Sequence, residues 1–278
     1  LDTALFWSSR LEWHSEKNIF QITDVIGPDE YHEHIDNNAF TNYFAFWHLR
    51  KAVAVAEWLT KENPCKAKQL FERMNLTEQT FRDWNNQAQQ IYLPFDEKSA
   101  LIAQFDGYFN KKNVLASQFD PRTTSIQSLL GIDGANNTQI IKQPDVIMLM
   151  YLLPEMFEQE VIRANYDYYT PRTDLSYGSS LGPSIQTIMD TRFGSEHEAY
   201  ENFIHSALMD INDLRGNTKE GIHGASAGGV WQAVVFGFGG LHFNQEDWWV
   251  EPKLPAHWKR LSFKFNWRGE SQMVDIRP

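Results

Sequence analysis

Cysteine is almost missing from this chain: Cys65 is the only one in 278 residues. A lone thiol excludes an intramolecular disulfide framework and suits a reducing compartment, so a cytoplasmic location is expected. Basic residues are also in deficit, with 25 Lys and Arg against 36 Asp and Glu for a formal charge of −11. Without a Lys/Arg run or a basic–aromatic stripe no nucleic-acid partner is expected, although a phosphate-sized anion can still bind locally. No apolar run reaches the roughly 18 residues of a membrane span, and the opening Leu1-Asp2-Thr3-Ala4-Leu5 lacks the basic head and apolar stretch of a signal peptide. No membrane association is expected. An initiating Met is missing too, and the chain opens inside a helical pattern (Ala4, Leu5, Trp7, Ser8, Leu11), as expected for the later part of a longer protein. No repeat at a fixed period is present, which sets aside an α-solenoid.

The 42% hydrophobic fraction supports a sizeable core, and 14% aromatic residues, ten Trp and ten Tyr among them, exceed what a core alone requires. Such rings fill cores or pack against pyranose faces. Apolar periodicity predicts a long helix over residues 37–62 closed by Asn63-Pro64, and a second one after the capping signal Thr77-Glu78-Gln79-Thr80, ending near Pro94. Residues 95–135 read as loop-rich, with an extended piece at Leu101–Asp106 and a short helix at 125–130. A buried helix is expected after Pro144-Asp145 through Leu153, then helices over 156–165, 183–193 and 196–208, and a last one starting after Gly228-Gly229 and running to Gly239-Gly240. From Asp247 the alternation at 261–267 and 272–276 predicts a small strand-rich tail. Serial helices with a β appendix fit part of an α/α barrel, in which connecting loops at one end form the site.

The densest chemistry lies in Asp24-Val25-Ile26-Gly27-Pro28-Asp29-Glu30-Tyr31-His32-Glu33-His34, which sets carboxylates and imidazoles on a Gly-Pro turn ahead of a helix. An acid there can face a sugar, and like-charged neighbours with partial desolvation under nearby aromatics would raise the Glu30 pKa. The same residues also fit a solvated turn. His32 and His34 flank a carboxylate, yet no third ligand stands at a convincing spacing, so no metal is expected.

The run from Val25 to Asn42 resembles the catalytic signature of glycoside hydrolase family 65, the disaccharide phosphorylases. Lys142-Gln143-Pro144-Asp145-Val146 is similar to that family's Lys-Gln substrate element, with Pro144 where Ala is more usual. Ser179-Ser180-Leu181-Gly182-Pro183-Ser184 and His223-Gly224-Ala225-Ser226-Ala227-Gly228-Gly229-Val230-Trp231-Gln232 resemble its phosphate loops. The likeness spans nearly the whole chain. It implies a mainly α architecture, the second half of an (α/α)6 catalytic barrel over residues 1–246, followed by the start of a small C-terminal β-domain over 247–278.

The resemblance also implies roles. Glu30 is the expected proton donor; Lys142, Gln143, His32 and Glu33 are expected to bind substrate; Ser179, Ser180, His223, Ser226 and Gly228 are expected to bind phosphate. Phosphate replaces the second carboxylate of an inverting hydrolase and is a co-substrate, so no cofactor is implied. The glycine-rich segment would cradle it, with exposed backbone N–H groups and a following helix N-terminus, although glycine-rich helix starts also serve plain packing. The expected reaction is inverting phosphorolysis of maltose to β-glucose 1-phosphate and glucose. Trehalose, kojibiose or nigerose as substrate, an inverting α-glucosidase on the same barrel, and a non-catalytic glycan-binding domain stand as alternatives. The partners implied are a disaccharide and phosphate, in a homodimer.

Overall fold

Side-chain caps set where several helices of this chain begin. The computed structural model describes residues 1–277 and separates into two units, one of Leu1–Lys111 and one from Lys112 onward. In the first unit, helix α1 (Asp2–Arg10) leads into a hairpin of β1 (Glu12–His14) and β2 (Ile19–Gln21), with Trp13 opposite Phe20. Helix α2 (Ala39–Glu62) follows; Asn38 caps it by accepting the Thr41 N–H at 2.9 Å.

Asn63-Pro64 was expected only to end a helix, and it also starts one. The Asn63 side chain accepts the Lys66 N–H at 3.1 Å, and Pro64 takes the first position of α3 (Pro64–Met74), where its missing N–H costs nothing. Helix α4 (Glu78–Gln90) begins at the expected cap, a reciprocal Thr77–Thr80 box. These elements enclose a core of Ala4, Ile22, Ala45, Leu49, Ala52, Trp84, Ala88 and Ile91. The extended piece expected at Leu101–Asp106 is reduced to one bridge between Asp96 and Leu101. Its inner residues Ile102, Gln104 and Phe105 are buried, and the Gln104 carbonyl accepts the Ala39 N–H at 2.8 Å where α2 starts.

The second unit carries α5 (Ile126–Asn136, kinked at Gly131), α6 (Asp145–Leu152), α7 (Gln159–Tyr169), α8 (Gly182–Phe193), α9 (Glu196–Ala207) and α10 (Gly224–Gln232). Helix α6 buries Val146, Ile147, Leu149 and Met150, as its continuous apolar run predicts. Pro144 stands at its cap rather than inside its first turn. Helix α7 starts later than expected because Pro154–Met156 forms a separate tight turn first.

A π-helical turn, Ala233–Phe238, continues α10. Two hairpins close the chain: β3 (Leu241–Phe243) with β4 (Trp248–Val250), and β5 (Leu261–Trp267) with β6 (Glu270–Ile276). The strands thus begin a few residues ahead of the change in pattern at Asp247. Trp248 and Trp249 pack locally, the first edge-on to Phe265 and the second stacked on His242. The fold is mainly α with a small C-terminal sheet domain, as the sequence predicts.

Helix α9 shows the same capping logic with a charge attached. Ser195 caps it by accepting the Glu198 N–H at 3.1 Å, and Glu198 takes the Ser195 hydroxyl and main-chain N–H at 2.7 and 2.9 Å. Those two donors hold the Glu198 carboxyl below its ordinary pKa. A carboxyl lowered in this way stabilises the fold above its unfolded pKa and loses that contribution as pH falls through its folded value. Ser195→Ala should therefore cost about 1 kcal/mol at neutral pH. In urea melts the deficit should narrow below the usual Glu range; a constant deficit would reject the charge-linked part of the cap.

Candidate active site

The acid turn is built on backbone before any side chain contributes. Val25 and Ile35 exchange two main-chain hydrogen bonds, both 2.9 Å, which staple the ends of the loop that carries Glu30. Gly27 has φ +75°, and a Cβ there would lie 2.6 Å from the Asn38 amide nitrogen, so only glycine lets the turn sit on the cap of α2. Asn37 adds a second tie: its Oδ1 accepts from Ile22 N–H and Asn42 Nδ2 at 3.3 and 3.0 Å, and its Nδ2 donates to Asp106 at 2.9 Å.

Inside the turn the carboxylates divide. Asp29 is fully buried and accepts three hydrogen bonds, from His32 Nδ1 at 2.6 Å, Gln104 Nε2 at 2.8 Å and the Tyr31 N–H at 3.2 Å. Glu30 and Glu33 face outward and are exposed. The desolvation expected at Glu30 is therefore absent from its surroundings in this unit, because the turn packs Asp29, Tyr31 and His32 inward and leaves Glu30 at its outer edge. A second expectation also changes. His32, expected to meet substrate hydroxyls, is fully buried with its ring on Phe105 and Tyr108 at centroid distances of 4.9 and 6.2 Å. It supports the turn through Asp29.

In the second unit, a parallel bridge between Ile141 and Thr173 delivers Lys142 and Gln143, both half-buried, to the segment that precedes α8. A Cβ on Gly182, the first residue of α8, would lie 3.7 Å from the Lys142 carbonyl, which places the Lys-Gln element beside that helix start. Asp174 anchors the intervening loop: its buried carboxylate accepts Arg122 Nη2, the Ile126 N–H and the Tyr177 N–H at 2.7, 2.9 and 3.1 Å. Gly178 follows because a Cβ there would stand 2.4 Å from the Asp174 carbonyl. The Ser179 Oγ then accepts the Leu181 N–H at 3.1 Å, turning the chain into α8.

The glycine-rich segment is a helix rather than a loop. Helix α10 starts at Gly224, so Gly228, expected among the exposed N–H donors, lies within the helix where its N–H serves the helical ladder. Gly229 is the point of closest approach to α8, since a Cβ there would fall 2.3 Å from Ser184 Oγ. Ser226, expected to donate to phosphate, instead gives its buried hydroxyl to the Ser180 carbonyl at 3.0 Å. That bond ties the first turn of α10 to the entrance of α8. The main-chain N–H groups of Gly182, Ala225 and Ser226 stand at first-turn positions that a helix leaves without an internal acceptor. Neither first turn contains a carboxylate. His223 occupies the cap of α10, and its Nδ1 and main-chain N–H both reach Asp210, at 2.5 and 2.7 Å. Those two donors hold the Asp210 carboxyl below the usual carboxylate range.

The structure thus groups Lys142, Gln143, Ser179, Ser180, His223 and Ser226 around two neighbouring helix starts, while Glu30, His32 and Glu33 belong to the stapled turn of the first unit. Among the described residues no group of three or more His, Cys, Asp or Glu side chains could hold a metal ion, and no helix is long and apolar enough to cross a membrane.

The pattern of the glycosyl hydrolase family 65 central catalytic domain matches residues 1–232, and that of the family's C-terminal domain matches residues 241–278. The chain belongs to glycosyl hydrolase family 65. A kojibiose phosphorylase of Caldanaerobacter subterraneus subsp. tengcongensis is 43% identical over 99% of this chain and 36% of its own length. The maltose phosphorylase of Bacillus subtilis is 30% identical over 98% of this chain and 35% of its own. A solved "Putative kojibiose phosphorylase from human microbiome" matches with a TM-score of 0.87 and 30% identity, covering 99% of this chain and 37% of that one. This family 65 chain therefore spans about a third of the length of the curated relatives it matches.

Three residues that hold the candidate site segments escape a reading of the sequence by motif: Gln104, Asp174 and Asp210. Each acts at a distance along the chain, Gln104 on Asp29, Asp174 on the loop before α8 and Asp210 on His223. Only the isolated Asp among apolar and polar neighbours marks Asp174 and Asp210 in the sequence, and that is a weak signal.

Proposed function

We propose that this chain carries the proton donor and the phosphate cradle of an inverting disaccharide phosphorylase, which converts an α-glucobiose and inorganic phosphate to β-glucose 1-phosphate and glucose. Glu30 protonates the departing glycosidic oxygen. Phosphate attacks the anomeric carbon from the opposite face, so one C–O bond breaks as another forms with inversion. Hydrogen phosphate loses its proton on becoming the monoester, which balances the proton Glu30 gave. A sugar bound against Glu30 withdraws it from water, which favours the uncharged acid.

The observation that carries this reading is the Ser226–Ser180 tie, which sets two helix starts side by side with no acidic residue in either first turn. Paired helix N-termini of that kind favour an anion through their main-chain N–H groups and dipoles, and Lys142 adds positive charge. An inverting glucosidase would instead need a carboxylate available to activate water. The carboxylate beside α10, Asp210, has both oxygens engaged by His223.

For the sugar, the 43% identity to a kojibiose phosphorylase against 30% to a maltose phosphorylase favours an α-1,2-linked glucobiose over the maltose expected from sequence. The test is to incubate the full-length protein with kojibiose or maltose, with and without phosphate. Phosphate-dependent release of β-glucose 1-phosphate, faster from kojibiose, is expected. Release of glucose alone at the same rate without phosphate would reject phosphorolysis, and faster turnover of maltose would reject the choice of sugar.

A further inference from the structure

Histidine at a helix cap is an ambiguous anion ligand, because either ring nitrogen can carry the proton in the neutral form. His223 is not ambiguous in this structure. Asp210 stands just after the end of α9 and is acceptor-only when ionised. Its Oδ1 lies 2.5 Å from His223 Nδ1 and its Oδ2 accepts the His223 main-chain N–H at 2.7 Å. A carboxylate so placed requires the proton on Nδ1, and it fixes the ring plane and the cap backbone together. Nε2 is then the remaining polar atom of the ring. It has no hydrogen-bond partner among the described residues, and the His223 side chain is 24% exposed.

We propose that Asp210 is a positioning residue for phosphate: by binding both N–H groups of His223 it holds Nε2 as an outward-facing acceptor for the P–OH of hydrogen phosphate. This rests on the phosphorylase reading given above. In that arrangement the main-chain N–H groups at the starts of α8 and α10 address the charged oxygens, which need donors. Nε2 addresses the one oxygen that carries a proton. The site therefore distinguishes hydrogen phosphate, which can donate, from sulfate, which at neutral pH has no proton to give. When the monoester forms, its proton passes to Nε2 and then to solvent, and Asp210 stabilises the transient imidazolium, as an orienting carboxylate does in other Asp–His pairs.

The test uses the full-length enzyme. Asp210→Asn presents an amide N–H to one of the two His223 donors, so the pair cannot keep both bonds. It should raise KM for phosphate at least tenfold and leave KM for the disaccharide within twofold. Sulfate should be a weak competitor of phosphate in the parent enzyme and should compete relatively better in the variant. Asp210→Glu, which retains an acceptor, should recover part of the loss. In a His223→Ala background Asp210→Asn should add less than twofold. Equal rises in both KM values, or a full additive effect without His223, would overturn the positioning role and leave Asp210 a structural residue. A parent enzyme that ignores phosphate altogether would instead overturn the phosphorylase reading itself, so the two failures are separable.

Discussion

Glu30→Gln in the full-length protein is expected to cut kcat for phosphorolysis by about 1,000-fold, the middle of the range for loss of a general acid. The glutamine amide keeps the size and polarity of the side chain and removes only the transferable proton. Since Glu30 is exposed on the turn, stability should change by less than about 0.5 kcal/mol. That separation makes the experiment decisive: a dead enzyme with an unchanged melt assigns the proton, and near-normal turnover removes Glu30 from the mechanism. A leaving group that needs no proton sharpens it further. Turnover of α-glucosyl fluoride should fall far less than turnover of the disaccharide in the same variant.

The complementary experiment is one residue away and should register in stability, which the first leaves unchanged. Asp29→Asn keeps the volume of a fully buried side chain but places an N–H where the structure needs an acceptor for His32 Nδ1, Gln104 Nε2 or the Tyr31 N–H. Whichever way the amide turns, at least one buried donor loses its partner, at about 1–3 kcal/mol for each. We expect about 3 kcal/mol lost in stability, read as a lower urea midpoint with an unchanged slope. Activity should fall as well, because Asp29 sets the path of the main chain on either side of Glu30. An unchanged midpoint would show that the buried cluster does not need the carboxylate.

Much of this was legible in the sequence, and the misses share a cause. Helices α2, α4, α6, α8 and α9 were readable because their caps and apolar faces are local signals, such as the Thr77–Thr80 box and the Ser195 cap. Helix α3 was lost because Asn63-Pro64 is both a stop and a start, and a one-dimensional reading has no reason to choose the second. The start of α10 was misplaced by Gly228 and Gly229, which look like a loop. Gly229 is glycine for a contact with Ser184, 45 positions earlier, and contact across that distance leaves no periodicity. The site follows the same rule. Glu30 stands in a contiguous motif and could be named, whereas the burial of Asp29 and His32 depends on Gln104 and Phe105. The partner of His223 is thirteen residues away across a turn.

The staple between Val25 and Ile35 has a bearing on how such a site can diversify. Both ends of the loop are fixed by main-chain hydrogen bonds, which any residue but proline can make, and its interior is held by Asp29. Ile26, Glu33 and His34 point to solvent and contribute nothing to that hold beyond a surface contact of His34 with Asp24. The acid is therefore carried on a frame that is indifferent to the side chains around its rim. On the phosphorylase reading proposed above, those rim positions can be exchanged to suit a different acceptor sugar while Glu30 stays where it is, so specificity changes by small steps without unfolding the turn.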